Sequence, residues 1–153
     1  MNGSSQSETG SGKTDVRVRL LSVTSGERIA MEMRGVLFPK AGGFYVRYEE
    51  PEEAQMGRTT TTVRLLPDEV RILRRGDVRF EQTFAAGGRH IGYIETAHGR
   101  MELETVTHGV ELRKPADGRM TPLEATWRYD LTLMGEAAGQ VEVKLEISAG
   151  EEG

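Results

Sequence analysis

The chain predicts an all-β fold, an antiparallel up-and-down sheet closed into a barrel of roughly eight to ten strands. Three observations carry that prediction. From Val16 to Ile147 the sequence divides into about nine or ten segments of roughly seven to twelve residues in which apolar and polar positions alternate. Turn-forming pairs such as Ser25–Gly26, Gly87–Gly88 and His98–Gly99 separate them. Almost no stretch repeats its apolar residues at helical spacing. Closure is expected because so many consecutive hairpins would otherwise expose unpaired strand edges. A β-sandwich would need long crossovers, and only Glu49–Gln55 and Pro115–Gly118 have room to hide one.

The first strand runs through Val16, Val18 and Leu20, and a change of phase to Leu21 and Val23 predicts a bulge near Leu20–Leu21. After Ser25–Gly26 the second strand turns Ile29, Met31 and Met33 inward. There Gly35 is expected to break the alternation at a barrel bend, with Val36 and Phe38 resuming on the opposite parity. Pro39 to Gly43 forms a turn, and Phe44, Val46 and Tyr48 then share one face. Glu49–Gln55, acidic and built around Pro51, reads as a solvated loop. The run Thr59–Thr62 favours extended backbone because β-branching restricts χ1.

Pro67–Asp68 turns the chain into a short strand, Val70 to Arg74, and Arg75–Gly76–Asp77 makes a tight hairpin connection. Val78–Ala85 shows the alternation most cleanly: Val78, Phe80, Gln82 and Phe84 fall on one face, Arg79, Glu81 and Thr83 on the other. Ile91–Thr96, Met101–Thr107 and Val110–Leu112 continue the meander. The Pro115–Gly118 loop precedes a long strand around Ala125, Trp127, Tyr129, Leu131 and Leu133. Beyond Gly135–Gly139, Val141, Val143, Leu145 and Ile147 alternate with Glu142, Lys144 and Glu146, so one face packs inward and the other is solvated.

Residues 1–14, rich in Ser and Gly, read as a flexible tail, 15–149 as a single barrel domain, and 150–153 as a fraying end. At 153 residues the domain buries roughly 68–70% of its unfolded surface and needs no covalent staples. Cysteine is absent, which excludes disulfides, thiol nucleophiles, thiolate zinc sites and Fe–S clusters. The net charge is −4, and the basic residues, all arginine except Lys13, Lys40, Lys114 and Lys144, are spread along the strands. With no basic stripe, no nucleic-acid partner is expected. No run approaches the roughly eighteen apolar residues of a membrane span, and the N-terminal segment lacks a leader-like apolar region. A soluble, cytoplasmic protein is expected.

Several segments, in order and spacing, are similar to a known family: Tyr45-Val46-Arg47-Tyr48-Glu49-Glu50, the Thr-rich strand through to Arg75-Gly76, Phe80-Glu81-Gln82-Thr83-Phe84, Gly99 to Thr105 with Thr107, and Tyr129-Asp130. They resemble the YwiB-like bacterial proteins of unknown function. The resemblance covers the chain from Val16 to Ile147 and implies a calycin-like, or lipocalin-like, β-barrel with a lumen. It implies no reaction. The Gly-x-Trp signature of typical secreted lipocalins is missing near the first strand, and the one tryptophan, Trp127, lies near the end.

Strand parity nominates the lumen. Tyr48, Gln82, Thr105, Trp127 and Tyr129 share their faces with apolar residues, the mixture of hydrophobic walls and a few orienting polar groups that suits a small ligand. A barrel this narrow can equally be filled by its own side chains, with buried Tyr, Thr and Gln satisfying one another.

No catalytic site or cofactor is nominated. His90, His98 and His108 fit no metal-ligand spacing, so no metal is expected. Glu49, Glu50, Glu52 and Glu53 form the densest acidic cluster, of the kind loops usually leave in water. Arg75 is placed near a barrel mouth and Arg128 on the outer face. The leading expectation is a barrel binding a small, partly apolar or amphipathic ligand in its lumen. The alternative is a non-catalytic interaction or assembly module with a filled barrel, acting through its outer face or the Glu49–Gln55 loop.

Overall fold

The computed structural model describes residues 12–150. Ten strands follow one another: β1 (Thr14–Thr24), β2 (Glu27–Lys40), β3 (Gly43–Glu49), β4 (Thr59–Leu66), β5 (Glu69–Gly76), β6 (Arg79–Ala85), β7 (Arg89–Thr96), β8 (Gly99–Arg113), β9 (Leu123–Leu133) and β10 (Glu136–Ala149). Each is antiparallel to the next, and β1 pairs with β10, which closes the barrel and leaves no edge strand. One turn of 3-10 helix, Glu52–Ala54, interrupts the loop between β3 and β4. Most of the expected tail (residues 1–14) and of the expected fraying end (150–153) lies outside the described residues. Within them, Thr14 already pairs with Leu37, and the Gly150 N–H donates to the Asp15 carbonyl at 3.1 Å.

Alternation places the core. Val16, Val18, Leu37, Val46, Val63, Leu65, Leu145 and Ile147 are all at most 2% exposed. Full burial of side chains of this size stabilises by about 1.5–3 kcal/mol each. Two expectations for the first hairpin are overturned. Registers of β1 with both β2 and β10 run without a break from Val16 to Thr24, so there is no bulge at Leu20–Leu21. Leu21 and Val23 simply lie on the outer face, half-buried, and it is apolar residues on both faces that blur the alternation.

Nor does Gly35 change the phase of β2. Met33, Gly35 and Leu37 continue inward, while Val36 and Phe38 face out. A Cβ at Gly35 would sit 2.7 Å from the Arg47 carbonyl oxygen, so the backbone of β3 approaches too closely for any other residue. The actual irregularities are in β8, between Thr107 and Gly109, and in β10, between Ala137 and Gly139. The first of these returns Val110 and Leu112 to the interior.

Between β6 and β7 the ladder is short, pairing Arg79 with Glu95 and Phe80 with Ile94. Gln82 bridges the remaining separation: its Nε2 donates to Thr105 Oγ1 at 2.7 Å and to the His90 carbonyl at 3.4 Å. Gly92 makes room for it, since a Cβ there would collide with Gln82 Oε1. The turn after β6 instead bonds β8, with the Gly87 N–H on the Thr107 carbonyl and the Thr107 N–H on the Gly88 carbonyl, both at 2.9 Å.

Candidate functional site

The five lumen candidates all turn inward, and several of them pack on one another or on shared neighbours. Gln82 and Thr105 are bonded to each other. The Phe84 ring lies 4.6 Å from that of Tyr129 and 6.0 Å from that of Trp127, tilted by just under 40° in each case, so the three aromatics occupy the middle of the barrel. Burial pushes the Tyr129 phenol up to about 12, against a smaller opposing pull from Arg74. Tyr48 is raised further, first by burial and then by the Glu50 carboxylate, with Arg74 opposing. Among the described residues one concavity of about 640 Å³ lies over the short β6–β7 ladder and reaches the inward-facing Arg74, Phe80, His90 and Gly92, others lie along the outer wall, and of the five candidates Tyr48 alone lines one of these.

At the end of the barrel above Tyr48 sits a polar cluster the sequence reading did not anticipate. Glu50, expected in a solvated loop, has a side chain only 2% exposed. Its Oε2 accepts from the Thr61 hydroxyl and lies 3.4 Å from Arg74 Nε, which is itself 18% exposed. A signal was present: Phe44, Val46, Tyr48 and Glu50 share one parity, as do Val70, Ile72 and Arg74. Pro51 and the neighbouring glutamates obscured it. The pair is internally satisfied, and together with Tyr48 it caps that end of the core.

The outer wall of β2 to β5 is built differently. Cross-strand neighbours Phe38 and Tyr45 stack with their centroids 5.5 Å apart and planes 10° from parallel. Around them stand Lys13 (5.9 Å) and Arg47 (5.5 Å) over Phe38, and Lys40 (5.5 Å) and Arg64 (5.8 Å) over Tyr45. Phe38, Tyr45, Lys40, Arg47, Thr60, Thr62, Leu73 and Arg75 line a groove of about 340 Å³. Alongside it, Arg17, Arg34 and Arg47, with Asp15 and Glu49, line a second concavity of about 610 Å³. Several basic residues far apart in the sequence are therefore gathered on one wall by the register.

Electrostatically this wall is incomplete. Among the described residues none of Lys40, Arg47, Arg64 and Arg75 has a carboxylate within ion-pairing distance, although adjacent Arg71 and Arg74 have Glu81 and Glu50. Arg64 Nε is buried without a hydrogen-bond partner. Arg17 stands directly opposite Arg34, and Arg64 directly opposite Arg71. Like charges in directly opposed positions destabilise a sheet.

Elsewhere the wall neutralises itself. Arg19 lies near Glu32 and Glu146, Arg100 near Glu95, Lys144 near Glu124, and His108 Nε2 is 3.0 Å from Asp130. His98 is in a turn, its N–H bonded to Thr96 Oγ1. His90 faces inward with Nδ1 buried and unpartnered. Among the described residues no group of three or more His, Asp or Glu side chains is placed to hold a metal ion. Nor, among the described residues, is any helix long and apolar enough to cross a membrane.

A closed ten-stranded up-and-down barrel, with its rings inside and a cationic, aromatic wall outside, defines the class. The chain belongs to the family described as a domain of unknown function, DUF1934, whose model matches residues 16–145. It is 28% identical over 103 residues, 65% of this chain and 71% of the relative, to the uncharacterized beta-barrel protein YwiB of Bacillus subtilis (strain 168). The crystal structure of the ywiB protein from Bacillus subtilis superposes with a TM-score of 0.75 at 22% identity, covering 91% of this chain and 94% of that one. The YwiB-like family and the barrel are thus as the sequence predicts.

Proposed function

We propose that this is a cytoplasmic, non-catalytic binding module whose barrel is filled by its own side chains and whose outer wall, β2 to β5, receives an anionic partner. The observation that carries the reading is the set of cations around the Phe38–Tyr45 stack, Lys40, Arg47, Arg64 and Arg75, held without carboxylates in a protein of net charge −4. An anion would relieve the Arg17–Arg34 opposition.

Fluorescence anisotropy with a labelled heparin fragment tests it. Saturable binding that weakens as salt rises is expected, with loss in the Arg47→Glu, Arg64→Glu double variant. Absence of binding at low salt, or binding indifferent to the double substitution, contradicts it.

One observation favours a second reading, a small ligand within the barrel. Gln82 Oε1 and His90 Nδ1 are buried without partners beside the short β6–β7 ladder. A ligand held there would touch Gln82 and Thr105 and lie near Trp127 and Tyr129. Saturable binding of an apolar fluorescent probe that quenches Trp127 would support this reading, and unchanged Trp127 emission would remove it.

A further inference from the structure

We infer that the anionic partner of the β2–β5 wall is a single-stranded nucleic acid, an inference that rests on the reading of this wall as a binding face. Positive charge alone would suit any polyanion. The rings narrow the choice. Phe38 and Tyr45 contribute accessible surface to the groove in which Arg47 and Arg75 also stand, so aromatic surface and cations are presented to the same occupant. Guanidinium groups lie over the rings, Arg47 on Phe38 and Arg64 on Tyr45. Guanidinium groups and ring edges set among cations suit a chain that alternates bases and phosphates, because bases stack on guanidinium planes and pack against aromatic side chains while phosphates pair with the charges.

Shape and extent point the same way. Both concavities share Arg47, so basic residues extend from Arg75 on β5 to Arg17 on β1, with Asp15 and Glu49 also lining the second concavity. Five neighbouring strands spaced about 4.8 Å apart span roughly 19 Å, which requires an extended ligand rather than a lone phosphate. The wall is the convex outside of a barrel, and among the described residues a single 3-10 turn, Glu52–Ala54, is the one helical element, too short to enter a duplex groove. A flexible single strand can follow such a surface. An acidic peptide would meet the charges but supply no regular series of π-faces for the rings. The Thr62 hydroxyl on the groove floor is placed for a base edge or ribose hydroxyl, while the Thr60 hydroxyl donates to Glu49 Oε2 at 2.9 Å.

Full-length protein is titrated into fluorescein-labelled oligouridylate and oligothymidylate of about twelve nucleotides. Unlabelled heparin, inorganic polyphosphate and a duplex of equal length serve as competitors. Both single strands are expected to bind saturably and to resist the duplex. Substitution of both rings, Phe38→Leu with Tyr45→Leu, keeps every charge and is expected to weaken oligonucleotide binding by about tenfold or more. Heparin binding should change by less than about twofold. Tyr45→Phe keeps the stack and is expected to retain binding, and matching thermal midpoints show that the variants are folded.

If heparin binds but the oligonucleotides bind no better and ignore the ring substitutions, the nucleic-acid inference is overturned while the anionic wall stands. If neither binds, both fail. Salt-sensitive self-association by light scattering, without oligonucleotide binding, makes the partner a second copy and likewise overturns the inference.

Discussion

Strands β2 to β5 have two sides that manage charge in opposite ways. On the inner side the one arginine, Arg74, meets Glu50, whose carboxylate also receives the Thr61 hydroxyl, and the surrounding positions are apolar. On the outer side Lys40, Arg47 and Arg64 stand over rings, Arg75 shares their groove, and among the described residues none of the four has a carboxylate within ion-pairing distance. The same backbone thus carries one face that is finished by its own residues and one that is not. A finished face contributes to stability, and an unfinished one has capacity left for a partner. Substitutions inside should therefore cost folding, and substitutions outside should cost binding.

The largest effect is expected in the middle of the barrel. Trp127→Ala removes the ring that packs against Phe84 and should cost about 3–5 kcal/mol in chemical denaturation. A loss below about 1 kcal/mol would mean the interior is not packed as described. Glu50→Ala comes next, at about 2–3 kcal/mol, because it leaves Arg74 largely buried without its counter-charge. Replacing both partners by methionine should cost much less than Glu50→Ala, since an apolar pair leaves no charge stranded. If the double variant is the worse of the two, the pair itself is the stabilising element.

High pH attacks the inner side specifically. Tyr129, pushed up to about 12, keeps its proton in the fold through a range where an unfolded tyrosine, ordinarily near 10, releases it. The folded state then binds more protons than the unfolded one, so stability is complete below about pH 10 and declines as pH rises towards 12. Tyr48 acts in the same direction. Urea midpoints measured across that range should fall, and Tyr129→Phe should reduce the fall.

Outside, effects on folding shrink. Phe38→Leu with Tyr45→Leu should cost only about 1 kcal/mol, the scale of a surface aromatic pair. Arg64→Gln should change stability by less than about 0.5 kcal/mol, with a slight gain at low salt as its opposition to Arg71 is removed. Thermal unfolding at two salt concentrations checks both. A large loss from either variant would show that the outer wall is structural in the way the inner one is.

Much of the fold was legible in the residues and much of the binding wall was not. Alternation in Val78–Ala85 and Val141–Ile147, with glycine turns between, suffices to predict a closed meander and to turn Gln82, Trp127 and Tyr129 inward. It fails where both faces hold apolar residues, as at Leu20 to Val23, and where a glycine stays in phase, as at Gly35. Glu50 was in phase with Tyr48 and was discounted because it stands in an acidic, proline-containing segment. The outer wall was hidden for a different reason. Parity tells which side a residue faces but not which residue stands beside it on the next strand. Lys40 and Arg75 are far apart in sequence, and only the registers of β2 with β3, β3 with β4 and β4 with β5 bring them to one groove.

The central claim is that the partner is held by the outer wall while the lumen stays closed. Trp127, the only tryptophan and buried in the barrel, reports on the lumen, and anisotropy of a labelled polyanion reports on the wall. Following both signals in one titration tests the claim most directly. The account predicts saturating anisotropy with Trp127 emission unchanged. Absent anisotropy at low salt, or a shift of Trp127 emission that tracks binding, would contradict it.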